Sequence, residues 1–144
     1  MTHAHVLPDT PCHLDGHWLP LDQARVSVLD RGFLFGDAIY EAVPVYDGRL
    51  FRFHEHLARL ARSLDKVRIP NPHDGEGWLA LARELVARVA AHTGARDQFL
   101  YLQVSRGVAL RDHQMIPDLV PTVFLMSQPM KPLSAEQRHR GVAC

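Results

Sequence analysis

Cysteine is scarce in this chain of 144 residues, because only Cys12 and Cys144 occur, near opposite ends. Two such distant cysteines make no disulfide framework, so we expect both thiols to be reduced. An excess of charge of one sign is also missing, since 16 basic and 16 acidic residues give a formal net charge of zero. The chain therefore has no electrostatic footprint for nucleic acid or an anionic membrane, and we expect small molecules and proteins as its partners.

Membrane and targeting signals are absent from the sequence as well. No apolar run approaches the length of a membrane span, and the opening MTHAHVLPDTPCH has neither a basic start nor an apolar signal core. We therefore predict a location in the cytoplasm. The opening segment is rich in possible metal ligands, but their spacing fits no zinc motif, and we expect no metal site among His3, His5, Cys12, His13 and His17.

One stretch, Asp30–Glu41, differs in composition from an ordinary core element. Gly32 and Gly36 stand four residues apart among acidic, basic and aromatic side chains, which predicts a bent, packed loop with a polar rim. The glycine spacing matches neither the dinucleotide nor the Walker phosphate motif. The composition leaves two interpretations open, a binding loop and a structural turn.

Two Asp-Gly dipeptides predict β-hairpins. The first lies within the alternating segment Cys12–Leu21, and the second lies between β-branched and aromatic residues of Glu41–Phe53. Asp-Gly suits the tight turns that join neighbouring antiparallel strands.

Two segments have the period of amphipathic helices. The apolar stripe of the first is Phe53, Leu57, Leu60, Leu64 and Val67, and Pro70 follows its end. The second helix is predicted to begin at Asp74 and end near Gly94, with an inner stripe of Trp78, Ala82, Leu85 and Val89. Further strands are predicted over Gln98–Arg106 and Thr122–Ser127. Together these elements indicate an α+β domain with a mainly antiparallel sheet.

The central stretch and the first helix together carry a family resemblance. The sequence DRGFLFGDAIYEAVPVYDGRLF, followed by RFHEHLARLARSLDKVRIP, resembles the N-terminal region of the pyridoxal-phosphate aminotransferases of fold type IV. That family includes D-amino acid aminotransferases, branched-chain aminotransferases and aminodeoxychorismate lyase. The similarity runs from about Leu14 to Cys144, and it implies pyridoxal 5'-phosphate as the cofactor.

The first predicted helix carries the expected cofactor residue. His56, Arg59 and Ser63 share one flank of this helix, and periodicity alone leaves a solvated edge as an interpretation. The segment EHLARL resembles the family's E-H-x-x-R-L motif, which implies that Arg59 binds the cofactor phosphate. A guanidinium suits that task, because it can donate two parallel charge-assisted hydrogen bonds to phosphate oxygens.

The loop between the last two predicted strands carries the expected substrate residues. By composition, RGVALRDHQ from Arg106 to Gln114 reads as a solvated charged loop. It resembles the R-G-x-x-x-R-x-H segment of D-amino acid aminotransferases, which implies that Arg111 and His113, together with Tyr40, hold the substrate α-carboxylate. The resemblance favours D-amino acids, of the D-alanine and 2-oxoglutarate type. It also implies a homodimer, in which this loop reaches the neighbouring subunit's site.

Lysine is as scarce as cysteine, and this bears on catalysis. Aminotransfer by pyridoxal phosphate needs a lysine that forms a Schiff base with the cofactor. Only Lys66 and Lys131 occur, and neither matches the family's lysine, so no catalytic residue is assigned in this chain. We expect an inactive fragment with a tail over 1–13, a small α+β domain over 14–132, and over 133–144 a linker with the start of a truncated C-terminal domain.

Other functions stay open at this stage. Within the family, the alternatives are a branched-chain L-amino acid aminotransferase and an aminodeoxychorismate lyase. Outside catalysis, the chain could be a dimerisation or binding module that kept the fold without the lysine-bearing domain.

Overall fold

The computed structural model describes residues 8–141, and it places one six-stranded sheet beside helices. The strands are β1 (Pro11–Leu14), β2 (His17–Pro20), β3 (Ala38–Tyr46), β4 (Arg49–Leu50), β5 (Gln98–Ser105) and β6 (Thr122–Pro129). The helices are α1 (Arg31–Phe35), α2 (Phe53–Val67), α3 (Gly75–Thr93) and α4 (Ala135–Arg140), with a short 3-10 turn at Leu21–Gln23.

The sheet is antiparallel throughout, in the order β2-β1-β6-β5-β3-β4. The long central pairing joins β3 to β5, with Tyr40 opposite Gln103 and Glu41 opposite Leu102. The predicted α+β class with a mainly antiparallel sheet is confirmed.

Both predicted hairpins are present, and their turn residues adopt the backbone conformations that the sequence implied. Asp15 and Gly16 have φ angles of 47° and 85°, and Asp47 and Gly48 have 50° and 75°. Two successive positive φ angles are the requirement of the tight turn whose twist matches that of the flanking strands. Asp and Gly adopt them at low cost, which explains the location of both turns.

The two long helices pack on one face of the sheet. Phe53, Leu60 and Leu64 of α2 are buried, and Leu57 packs partly against the same core. All four predicted stripe residues of α3 are buried as well, namely Trp78, Ala82, Leu85 and Val89. They meet alternate residues of the sheet, including Val43, Val45, Leu100, Leu102 and Val104. The period-2 strands and the 3.6-period helices therefore share one hydrophobic core.

The central stretch contains a one-turn helix where the sequence predicted an irregular loop. The Asp30 carboxylate accepts a hydrogen bond from the Gly32 amide at 2.7 Å and begins α1, and Gly36 ends it with a φ of 66°. The predicted bend therefore occurs at Gly36. Gly32 lies so close to β5 that a Cβ atom there would be 2.9 Å from the Cβ of Ser105. This approach fixes the start of α1 against the end of β5.

The first strand of the sheet begins at Pro11, so Pro11, Cys12 and His13, which we expected in the tail, pair within the sheet. Cys12 lies opposite Leu19 of β2 and Met126 of β6. Cys12 is a free, buried thiol whose pKa is raised by burial. His3, His5 and Cys144 lie outside the described residues. No helix within residues 8–141 is both long and apolar enough to cross a membrane.

Candidate functional site

A buried carboxylate on β3 organises the best-defined polar cluster of the fold. Glu41 is only 3% exposed and lies on the face of the sheet that α2 covers. Its Oε1 accepts a hydrogen bond from Arg59 Nε at 2.7 Å, and its Oε2 accepts one from Arg59 Nη2 at 2.5 Å. Nδ1 of His56, one turn earlier on α2, lies 2.8 Å from the same Oε2. Residues that the sequence predicted on one flank of α2 thus meet a partner from β3.

The charges of this cluster support one another. Burial opposes ionisation of Glu41, but the hydrogen bonds from Arg59 and His56 outweigh it and lower the pKa of the carboxyl. In return, Glu41 raises the pKa of Arg59. The pair is ionised at neutral pH, and its two parallel hydrogen bonds fix the direction of the guanidinium.

Arg59 keeps donors available after it has bound Glu41. Its side chain is 59% exposed, and its Nη1 makes no hydrogen bond to any residue in the range 8–141. It lines a cleft of about 490 Å³ together with the basic side chains His56, Arg52 and Arg62. Glu55, which pairs with Arg52, lines the cleft as well, together with the apolar residues Ala42, Pro44, Phe51 and Phe99. An oriented guanidinium with free N–H groups at such a cleft is suited to bind a phosphate or another small dianion.

Tyr40 points away from Glu41, because successive residues of a strand alternate between the two faces of the sheet. It is 63% exposed and stacks on Tyr101 of β5, with ring centroids 5.5 Å apart and an interplanar angle of 23°. The Tyr101 hydroxyl donates a hydrogen bond of 2.6 Å to Oε1 of Gln103. Burial raises the pKa of Tyr101, so its phenol is neutral at physiological pH. The tyrosine pair forms an aromatic platform on the face opposite the helices.

Arg111 and His113 lie on the loop between β5 and β6, and both contact the same aromatic ring. The Arg111 guanidinium carbon is 5.6 Å from the ring centroid of Phe35, and the His113 ring centroid is also 5.6 Å from it. Both side chains are exposed. Neither forms a hydrogen bond or an aromatic contact with Tyr40 in the part of the chain that the structure describes.

A second ion cluster, formed by Asp37, Arg31 and Arg106, lies at the start of this loop. Asp37 accepts hydrogen bonds from Arg31 Nε at 3.0 Å, from Arg106 Nε at 2.6 Å and from Arg106 Nη2 at 3.0 Å. Burial opposes the charge on Asp37, but the hydrogen bonds from Arg106 and then Arg31 outweigh it and lower its pKa. Arg106 also donates to the backbone carbonyls of Val67 and Arg68 at the end of α2. Asp37 therefore joins the central stretch to the end of β5, and its partner Arg106 extends the cluster to the end of α2.

Sequence reasoning did not assign Glu41, Tyr101 or Asp37 to the site. For Glu41 the only local signal is its position next to Tyr40, and its partner Arg59 is 18 residues away. The alternation of β5 places Tyr101 on the same sheet face as Tyr40, but only the pairing of β3 with β5 brings the two rings together. Asp37 and Arg106 are 69 residues apart, so no local pattern links them.

Neither lysine is buried, and Lys66 lines the same cleft as Asp37 and Arg106. Lys66 and Lys131 are both exposed. Among residues 8–141, no three His, Cys, Asp or Glu side chains are grouped so that they could hold a metal ion.

Comparison with known proteins connects this geometry to a family. The family model described as amino-transferase class IV matches residues 38–144. A D-alanine aminotransferase of Staphylococcus aureus (strain N315) is 38% identical over 111 residues, which are 76% of this chain and 38% of that protein. The chain thus spans about two fifths of the length of this relative.

Solved structures share the fold. The branched-chain amino acid aminotransferase of Escherichia coli superposes with a TM-score of 0.77 at 18% identity, over 89% of this chain and 42% of that one. The 4-amino-4-deoxychorismate lyase of Pseudomonas aeruginosa superposes with a TM-score of 0.68 at 30% identity, over 91% of this chain and 44% of that one.

Proposed function

The chain belongs to the class IV aminotransferase family, and we propose that it forms the N-terminal part of a pyridoxal-phosphate-dependent D-amino acid aminotransferase. The observation that carries the proposal is the oriented Arg59 guanidinium, which Glu41 holds beside a cleft that Arg62 also lines. The 38% identity to a D-alanine aminotransferase supports the choice of substrate class. The expected reaction moves the amino group of a D-amino acid such as D-alanine to a 2-oxo acid such as 2-oxoglutarate.

The residues present fit the phosphate of the cofactor. Arg59 is the residue that would hold it, because Glu41 occupies one edge of the guanidinium and leaves Nη1 free at the exposed side. Arg62 adds a second guanidinium to the lining of the same cleft. When bound, pyridoxal phosphate supplies the electron-withdrawing ring that stabilises negative charge at the substrate Cα. The chain's own contribution to that chemistry is to bind and orient, since Lys66 and Lys131 are both exposed and neither matches the family's lysine.

The substrate carboxylate is proposed to bind Arg111, His113 and the Tyr40 hydroxyl. Arg111 and His113 rest together on Phe35, and Tyr40 stacks separately on Tyr101. Within one chain, Tyr40 is therefore held separately from Arg111 and His113, as expected if the site is assembled from two chains. We therefore propose a homodimer in which the Arg111 and His113 of one subunit complete the site that contains the other subunit's Tyr40. The cytoplasmic location stays a prediction.

A second candidate function within the family is supported by the structural neighbours. A lyase that acts on aminodeoxychorismate superposes on 91% of this chain at 30% identity. A branched-chain aminotransferase superposes with a higher TM-score of 0.77, but at 18% identity this likeness extends to the fold alone. The D-alanine aminotransferase therefore remains the better-supported assignment.

The deciding experiment compares substrates with protein made from the complete coding sequence and loaded with pyridoxal phosphate. We expect D-alanine to react with the bound cofactor much faster than L-alanine or L-valine, and 2-oxoglutarate to complete the cycle. A faster reaction with L-valine would replace the proposal with a branched-chain enzyme. Consumption of aminodeoxychorismate without an amino acceptor would replace it with a lyase. Failure to retain the cofactor or to react with any of these compounds would support a binding module.

A further inference from the structure

One aromatic ring in α1 is shared by three side chains that belong to two separate parts of the fold. The Phe35 ring lies 4.7 Å from the guanidinium carbon of Arg31, 5.6 Å from that of Arg111 and 5.6 Å from the His113 ring centroid. Arg31 is on the same helix, whereas the other two come from the loop after β5. The ring is therefore the point where α1 meets the two exposed loop side chains.

Arg31 also holds the backbone of this loop. It is 4% exposed, and Asp37 fixes its Nε through a hydrogen bond of 3.0 Å. Its Nη1 donates a hydrogen bond of 2.9 Å to the backbone carbonyl of Asp112, the residue between Arg111 and His113. A buried guanidinium that is fixed by a carboxylate makes a rigid support, because its planar fork has few ways to rearrange.

The loop has little else to hold it in this conformation. Every residue from Leu110 to Met115 is exposed, and Leu110 and Met115 have 79% and 66% of their surface open. The one side-chain hydrogen bond within this segment runs from the Gln114 amide to the Asp112 carboxylate at 3.0 Å. Short exposed loops without buried contacts sample several conformations. The support from α1 is thus the main restraint on the positions of Arg111 and His113.

We propose that Phe35 is a positioning residue, which holds Arg111 and His113 in the arrangement that binds a substrate carboxylate, and that Arg31 anchors the loop backbone beneath them. This inference rests on the proposed function, in which Arg111 and His113 bind the carboxylate. Phe35 acts through those two side chains and does not itself contact the substrate. A cation resting on an aromatic face loses rotamers before the ligand arrives, so the ligand does not pay for ordering it.

The loss of this support should weaken substrate binding and leave the later chemistry largely intact. Without the ring, Arg111 and His113 occupy the binding arrangement for a smaller fraction of the time. An apparent dissociation constant rises in inverse proportion to that fraction. The effect therefore belongs to KM for the amino acid and for the 2-oxo acid, both of which carry the carboxylate, with little change in kcat.

The test uses three variants of the complete, cofactor-loaded enzyme. Phe35→Leu removes the aromatic face and keeps an apolar side chain, whereas Phe35→Tyr keeps the face. Phe33→Leu is the matched control, because Phe33 is on the same helix and is 74% exposed. We expect Phe35→Leu to raise KM for D-alanine by roughly 3- to 15-fold, with kcat within about twofold. Phe35→Tyr and Phe33→Leu should stay close to the parent in both constants.

Two further measurements separate positioning from a general loss of structure. Amide hydrogen exchange in the segment 110–115 should be faster in Phe35→Leu than in Phe33→Leu, while the strands and the thermal midpoint stay unchanged. In an Arg111→Ala background, Phe35→Leu should raise KM by much less than in the parent, because the two residues act on one site. Unchanged exchange in the loop, or full additivity of the two substitutions, would overturn the inference.

The failure of this inference can be told apart from failure of the proposed function. If Arg111→Ala raises KM and Phe35→Leu does not, the carboxylate site stands and the positioning role is wrong. If neither substitution changes KM for any carboxylate substrate, the proposed site itself is wrong, and the positioning role falls with it. If Phe35→Leu does not fold, a rise of KM by roughly 3- to 15-fold in Phe35→Tyr would overturn the inference, since that variant retains the ring.

Discussion

Arg59 meets Glu41 edge to edge, with Nε to Oε1 at 2.7 Å and Nη2 to Oε2 at 2.5 Å. The carboxylate is buried and the guanidinium is mostly exposed, so the pair connects the interior of the fold to the cleft at its surface. The buried carboxylate of Glu41 stays ionised only because it is paired with Arg59 through well-aligned hydrogen bonds. The same pairing gives the exposed side of Arg59 a fixed direction, which an anion-binding residue needs.

Arg59→Ala should weaken the retention of pyridoxal phosphate by the complete enzyme. Loss of a charge-assisted phosphate contact corresponds to roughly 10- to 150-fold in affinity. The measurement is cofactor loss on dialysis, followed by titration of the apoenzyme. Arg83→Ala is the control, because Arg83 is an exposed arginine on α3. Equal retention by the Arg59 variant and the parent would show that Arg59 serves only to pair with Glu41.

Glu41→Gln should have a smaller effect on cofactor binding and a distinct effect on acid stability. The hydrogen bonds from Arg59 and His56 lower the pKa of Glu41, in spite of burial, from its ordinary value of 4.5. The stability gained from the ionised carboxylate is therefore fully present above that value and is lost as pH falls through the lowered pKa. We expect the free energy of unfolding to fall with acidification below about pH 5 more steeply in the parent than in the variant. Urea titrations between pH 7 and pH 3 would measure the free energy of unfolding of both proteins. The same pH dependence in the parent and in the variant would contradict the prediction.

Asp37→Asn should destabilise the fold strongly. The substitution leaves two arginines, Arg31 and Arg106, without their shared carboxylate in a site that is largely closed to solvent. Removal of one partner from a buried ion pair lowers the free energy of unfolding by roughly 3–5 kcal/mol. Chemical unfolding would measure the change. Asp47→Asn is the matched control, because Asp47 pairs with Arg96 at the exposed surface and its loss should change stability little. Similar losses for the two variants would contradict the buried-cluster interpretation.

Arg111→Ala should lower kcat/KM for D-alanine and leave cofactor retention intact. Removal of a charge-assisted contact to the α-carboxylate corresponds to roughly 30- to 1,000-fold in kcat/KM. Steady-state kinetics with D-alanine and 2-oxoglutarate would measure the loss, and the absorbance of the bound cofactor would report its retention. Arg49→Ala, an exposed substitution on β4, is the control. Unchanged kinetics would exclude Arg111 from the carboxylate site.

Local patterns in the sequence predicted most of the fold. The turns at Asp15-Gly16 and Asp47-Gly48 followed from the positive φ angles that these residue types tolerate. The buried stripe of α3, from Trp78 to Val89, followed from the helical period. The cap at Asp74 and the end at Gly94 followed from the unpaired backbone groups at helix ends. The interpretation of Asp30–Glu41 as an irregular loop missed α1, because a five-residue helix is too short to show a period.

The sequence by itself determined which elements form and, through its resemblance to a family, which side chains are expected to bind the cofactor and the substrate. Only the tertiary structure decided their partners. Glu41 reaches Arg59 because β3 packs under α2, and Phe35 reaches Arg111 because the loop after β5 folds back on α1. Turn and period signals act over a few residues, since they arise from backbone sterics and from the repeat of one element. Contacts between residues that are 18 to 81 positions apart depend on how the elements pack, and no local pattern encodes that packing.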